Sequence, residues 1–201
     1  MNLESIREKI AYQPVLLGVF ALLASGALAW ASSATGEAIA AAEAKDLRDS
    51  LSEVLPQGMA DNDFLKDTVD LKNGEKTVTI YRARKEGVVK AALFKVAERG
   101  YAGDIQVLMA VDSDGKTLGV RVLKHSETPG LGDKIEVKKD PWVKGFDGKS
   151  LGDPAPDKWA VKKDGGIFDQ FAGATITPRA VVKAVKGGMD FFTAHKAEII
   201  G

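Results

Sequence analysis

A chain of 201 residues, 45% of them hydrophobic, is long enough to bury the core of one ordinary domain and leave a further segment. Its 28 Lys and Arg balance 28 Asp and Glu, which excludes a non-specific nucleic-acid binder, because affinity for phosphate backbones needs clustered cations. With no cysteine and only two histidines, His125 and His195, it can form neither a disulfide nor a thiolate-held or histidine-rich metal centre, so no metal site is expected.

From Ile10 to Gly36 there is no charged residue, and "PVLLGVFALLASGALAWA", Pro14 to Ala31, is apolar with small residues interspersed. As a helix rising 1.5 Å per residue it can cross a bilayer core of ~30 Å. Arg7 and Lys9 precede it and Glu37, Glu43 and Asp46 follow, so the basic flank is expected to stay cytoplasmic. The competing reading is a cleaved signal peptide, since "ALA" at Ala27 to Ala29 resembles a cleavage site. An uncleaved anchor is favoured: the apolar stretch exceeds an h-region of roughly 7–15 residues, and Trp30 suits a membrane interface.

Next, "GEAIAAAEAKDLRDSLSEVLP" sets Ile39, Leu47, Leu51, Val54 and Leu55 at helical spacing and stops at Pro56. "TVTIYRAR", Thr77 to Arg84, alternates as a strand does, behind the turn signal "KNGEK". In "DIQVLMAVDSDGKTLGVRVLKH" the turn "DSDG" separates two apolar runs, which predicts a β-hairpin. The same turn lacks the terminal Glu of a calcium loop, so calcium is not expected there. Pro141 to Pro156, rich in Gly and Pro and carrying Trp142 and Phe146, reads with Trp159 as a loop or short-strand region over a core. From Pro178 onward, Val181, Val185, Met189 and Phe192 form a helical stripe suited to packing on a sheet. Strands and helices do not alternate regularly, so the expected class is α+β with a mainly antiparallel sheet. The expected divisions are 1–13 before the membrane, an anchor over 14–33, a juxtamembrane helix over 34–57, and one domain over 58–201.

Two stretches carry candidate chemistry. In "FDQFAGATITPRA", Phe168 to Ala180, Thr177 reads as an N-cap and Pro178 as the first helical residue. Thr175 then lies beside a helix N-terminus, where free N–H groups favour an anion, and Ala172, Gly173 and Ala174 let a ligand approach the backbone. The alternative is a capped helix start that binds nothing. In "HSETPGLGDK", Pro129 and Gly130 fit a type II turn with room beside Gly132, able to face a flat heterocycle or merely to join two strands. His125 reads as a surface or core residue, and Lys162 and Lys163 as a solvated pair. There is no Ser or Thr triad with His and Asp, and no nicotinamide fingerprint, so no catalytic residue is assigned.

"DQFAGAT" resembles the acceptor motif for covalent flavinylation, Asp-x-x-(Ser/Thr)-Gly-Ala-Thr: Asp169, Gly173, Ala174 and Thr175 match, while Ala172 stands where the motif has Ser or Thr. "GYAGDIQVLMAV", "LGVRVLKHSETPGLGDKI" and "WAVKKDGGIFDQFAGATITPRAVV" together resemble the G subunit family of the Rnf electron-transport complex, and more distantly the C subunit of the sodium-translocating NADH:quinone oxidoreductase. The resemblance implies FMN esterified to Thr175 by a flavin transferase, with Glu127, Thr128, Pro129, Gly130, Leu131, Gly173, Ala174 and Thr177 around the cofactor. It also implies a redox subunit, not a complete enzyme, in a complex coupling ferredoxin and NAD chemistry to ion movement. Its partners would be the other subunits, the transferase and the lipid bilayer, with the domain on the periplasmic side of a bacterial inner membrane. Two alternatives stand beside this: a flavin-free assembly subunit, and a secreted FMN protein released by signal cleavage.

The charge asymmetry makes the orientation testable. A C-terminal alkaline phosphatase fusion should be active and a C-terminal green fluorescent protein fusion, exported by the general secretory route, dark. The opposite pair of results would reverse the orientation.

Overall fold

The computed structural model describes residues 12–201, so Arg7, Lys9 and most of the expected 1–13 segment lie outside the described residues. The described chain falls into two compact units that divide between Leu47 and Arg48. Helix α1 runs without a break over Tyr12–Val54, so the expected anchor and juxtamembrane helix are one element. The polar "SSATGE" between them contains no proline, and its single glycine costs a helix only ~1 kcal/mol. The apolar part of α1 leaves Leu17, Phe20, Leu22, Leu23, Leu28 and Trp30 exposed, and it is long and apolar enough to cross a membrane.

Five strands follow, β1 (Thr68–Asn73), β2 (Lys76–Lys85), β3 (Val88–Arg99), β4 (Asp104–Asp112) and β5 (Thr117–Lys124). They form one antiparallel sheet in sequence order, as short turns between alternating segments dictate. The β4–β5 turn is the expected "DSDG", closed by Asp112 Oδ1 accepting from the N–H groups of Asp114 at 2.9 Å and Lys116 at 2.8 Å. Both faces of β3 and β4 are covered, so Leu93 lies opposite Ala110 and Phe94 opposite Met109, all buried.

Helix α2 (Ile176–Ala194) lies on one face, followed by the short α3 (Lys196–Ile200). The expected stripe of Val181, Val185, Met189 and Phe192 is buried, and each such side chain contributes roughly 1.5–3 kcal/mol. Gly188 lets α2 approach closely: a Cβ there would touch Met109 Sδ and lie 3.0 Å from Val96 and 3.3 Å from Phe94. On the opposite face, the end of α1 buries Leu51 and Val54, and a Cβ on Gly119 would lie 2.7 Å from the Val54 carbonyl oxygen.

The segment between β5 and α2 is held by short 3-10 turns and an aromatic cluster rather than strands. Phe146 stacks on Phe168 with ring centres 4.4 Å apart, and Trp142 meets Phe171 edge-on at 5.1 Å. This cluster fixes the approach of the chain to α2 and therefore the place of Thr175.

Asp67, at the entrance to β1, bridges Arg82 and Arg84 of β2, with Arg84 Nε 2.5 Å and Arg82 Nε 2.7 Å from its oxygens. Burial alone would raise this carboxyl, but hydrogen bonds and charge from Arg84 and Arg82 outweigh it and hold the group below the usual range. A carboxylate with a depressed folded pKa contributes stability present above its unfolded value, ~3.9, and lost as pH falls through the folded value. Asp67→Asn should cost about 1.5–3 kcal/mol near pH 7, as charged hydrogen bonds do, and flatten the acid limb of the stability–pH curve. Urea titrations of both chains from pH 7 downward would check this. Parallel curves would assign the acid limb elsewhere.

Candidate functional site

The antiparallel order brings three chain segments to one end of the sheet. They are the β3–β4 turn around Tyr101, the segment leaving β5 at Glu127, and the loop entering α2 at Thr175. Between them lies a cleft of about 250 Å³. Of the residues singled out by sequence, Glu127, Thr128, Leu131, Gly173, Ala174, Thr175 and Thr177 line it. Pro129 and Gly130 form the adjoining turn and lie outside the lining. Gly130 has φ 78°, as a type II turn requires, and both Leu131 and Gly132 donate to the Thr128 carbonyl, at 3.1 and 3.0 Å. Asp133 steadies this turn, its carboxyl held below the usual range first by the Gly130 N–H and then by Lys139. Asp169 and Ala172 line a neighbouring groove, where Asp169 pairs with Lys162 at 2.6 Å and its carbonyl accepts from Trp142 Nε1 at 2.8 Å.

The helix start differs from the expected one. Thr175, not Thr177, occupies the N-cap position, and its side chain makes no capping hydrogen bond. Ile176 is the first helical residue, and Pro178 the third. Proline is accepted there because the first four N–H groups of a helix have no intrahelical partner, so nothing is lost by its missing donor. Thr177 is therefore not a cap. It is buried in the first turn, where its hydroxyl donates to Glu127 Oε2.

Glu127 itself is a buried carboxylate, 4% exposed. Besides Thr177, it accepts from the backbone N–H groups of Ala102 at 3.0 Å and Tyr101 at 3.3 Å, so one side chain joins all three walls. Its own N–H donates to His125 Nδ1 at 3.1 Å, and His125 Nε2 then lies 2.9 Å from Glu136 Oε1, so the neutral ring carries its proton on Nε2. His125 thus belongs to the support of the cleft, a role its sequence position did not reveal. Two glycines make room for the carboxylate. A Cβ on Gly100 would lie 2.6 Å from Glu127 Oε1, and one on Gly132 would lie 2.8 Å from Thr177 Oγ1 and 2.9 Å from Glu127 Cβ.

The mouth is apolar. Tyr101, Leu131 and Ile176 are 69%, 43% and 46% exposed around it, of which sequence reasoning missed Tyr101 and Ile176. Among the described residues, no Lys, Arg or His lines the cleft. Its chemistry combines an uncommitted hydroxyl at a helix start, N–H groups suited to an anion, and apolar side chains suited to a flat ring. A flavin mononucleotide, which joins a phosphate to a flat ring, fits that set.

Residues 100–190 match the FMN-binding domain family. The chain is 51% identical over 187 residues to the G subunit of the ion-translocating oxidoreductase complex of Cereibacter sphaeroides, covering 92% of this chain and 85% of the relative. It is 46% identical over 200 residues to the protein of the same name from Pseudomonas aeruginosa, covering 96% and 94%. Among solved structures, NqrC of Shewanella oneidensis is 25% identical with a TM-score of 0.47, over 71% of this chain and 72% of that one.

Thr177→Val keeps the shape but removes the donor to a buried carboxylate, and should cost about 1–3 kcal/mol in urea unfolding. Thr177→Asp separates the two roles: an N-cap tolerates aspartate, whereas a second carboxylate against Glu127 should destabilise further. A Thr177→Asp chain as stable as the parent would return Thr177 to the capping role.

Proposed function

The chain belongs to the G subunit family of the ion-translocating oxidoreductase complex, and from that membership and the cleft geometry we propose that it is a membrane-anchored electron-transfer subunit carrying FMN esterified through its phosphate to Thr175. The observation that carries this reading is the Thr175 hydroxyl, at the N-cap position of a 19-residue helix, in the cleft wall, and free of any capping bond. Bound FMN supplies reversible uptake of one or two electrons, which no side chain here provides. The protein supplies the seat. Gly173 at φ 80° turns the chain so that Ala174 and Thr175 line the cleft; the N–H groups at the start of α2 would hold the phosphate, and Leu131 and Ile176 would shield the ring from water.

Attachment is a phosphoryl exchange. Thr175 Oγ1 attacks the FMN-side phosphorus of FAD, the bond to the AMP oxygen breaks, and AMP departs. Threonine is a weak nucleophile without a base; among the described residues the cleft lining holds no histidine, and its one carboxylate, Glu127, is already engaged by Tyr101, Ala102 and Thr177. That proton therefore passes to a separate flavin transferase, with Asp169 and Ala172 in the neighbouring groove as part of the motif it meets.

The exposed apolar face of α1 supports a single membrane span, and the basic flank before it supports a cytoplasmic N-terminus and a periplasmic flavin domain. Electrons enter and leave through neighbouring subunits of a complex coupling ferredoxin and NAD chemistry to ion movement.

Intact-mass measurement of the chain co-expressed with a flavin transferase tests the assignment. The wild type should gain one FMN through a phosphoester, and Thr175→Val, which keeps the β-branched shape without the oxygen, should fold and gain none. An FMN mass retained by Thr175→Val would move the attachment site.

A further inference from the structure

Among the described residues, Glu127 is the only ionisable carboxylate in the cleft lining, and no cation stands beside it there. Its partners are two backbone N–H groups and a hydroxyl, and the N–H groups can only donate. The fold also reserves space for this group, since Gly100 and Gly132 are the positions where a Cβ would collide with it or with its partner Thr177. A carboxylate so enclosed lies in a poorly screened setting, where Coulomb energies exceed their values in water severalfold.

We propose that Glu127 is a fixed negative charge in the flavin cleft that favours the oxidised over the reduced form of the bound ring and so sets a low reduction potential. The inference rests on the reading that FMN occupies this cleft from Thr175. In an equilibrium titration with dithionite, the ring accepts two electrons from the reductant and one proton from solvent. It ends with one more negative charge than it began with. A like charge held in the wall opposes that product and leaves the neutral oxidised ring unaffected. The positive end of α2 does not cancel this effect, because it faces the phosphate, whose charge is the same in both redox forms.

The test is the midpoint potential of the full chain, flavinylated by co-expression with the transferase and titrated by absorbance. Glu127→Gln retains the shape: its oxygen can accept from Ala102 in the Oε1 place while its amide donates to Thr177 in the Oε2 place, giving up only the longer contact with Tyr101. Removal of the charge should favour reduction at least tenfold, about 30 mV upward for a two-electron couple. Glu127→Asp keeps the charge but shortens the reach, so stability should fall while the potential stays with the wild type. A potential for Glu127→Gln equal to that of the wild type overturns the proposal. So does a Glu127→Asp potential displaced as far as that of Glu127→Gln, which would make the residue a purely structural strut. Should Glu127→Gln fail to fold, Thr128→Asp adds a carboxylate at an exposed position of the same wall and should lower the potential by less than the tenfold factor, because solvent screens it; an unmoved or raised potential there also overturns it. Failure of the parent reading looks different: the wild type then carries no FMN mass at all, and this inference falls with it.

Discussion

One buried carboxylate holds the functional end of this domain together. Glu127 receives hydrogen bonds from the β3–β4 turn and from the first turn of α2, and it sits on the segment that leaves β5. None of those segments is fixed by the sheet ladder at that point, since β3 ends at Arg99, β4 begins at Asp104 and β5 ends at Lys124. Removing either partner leaves a buried polar group unsatisfied, so the arrangement is stable only when complete. The positions of Gly100 and Gly132 follow from it: they are small because the carboxylate and its threonine partner occupy the space a side chain would take.

The hydrophobic layers serve that end of the molecule. The stripe from Val181 to Phe192 fixes α2 on β3 and β4, and the aromatic cluster of Trp142, Phe146, Phe168 and Phe171 fixes the chain that enters it. Thr175 stands between these two packed regions, so its hydroxyl is positioned by well-packed elements, as the proposed attachment site would require. The groove beside it carries Asp169 and Ala172, part of the proposed flavinylation motif, next to Trp142, Phe168 and Phe171 of the aromatic cluster.

The α+β class, the β4–β5 hairpin and the buried stripe of α2 were legible in the sequence, because each rests on a periodicity or a turn signal that tertiary packing reinforces. β1 was not legible: "TVDLKN" is a short edge strand with one buried residue, Leu71, and such a strand shows little alternation. Thr177 was misread for a specific reason. Thr-Pro is a good local signal for a cap and first helical residue, yet proline is equally free of cost at the third position, so local chemistry does not distinguish the two registers. What decided the register was the distant Glu127, fifty positions earlier in the chain, which needs the Thr177 hydroxyl inside the helix. The same long-range bond explains why "HSETPGLGDK" was legible as a turn while the particular task of its glutamate was not. A turn signal is local; the burial of Glu127 depends on Tyr101 and Ala102, which no spacing rule connects to it.

The absence of cations from the cleft lining, among the described residues, bears on why a covalent link is useful in the proposed assignment. Proteins that hold a free phosphate tightly surround it with Arg or Lys, each adding a charge-assisted bond. Here the helix start offers only N–H groups, and Pro178 removes one of the four that a helix could supply. A site of this kind, with a carboxylate in its wall, binds a dianionic nucleotide weakly at equilibrium. Esterification to Thr175 removes that limit, since a tethered ring no longer depends on the concentration of free cofactor around the protein. The wall would then be free to hold a negative charge that discourages the reduced ring, a feature that would weaken a non-covalent site's hold on its reduced cofactor by the same factor. In the proposed assignment, covalent attachment and an unbalanced Glu127 would then be two parts of one arrangement: the first would make the second tolerable.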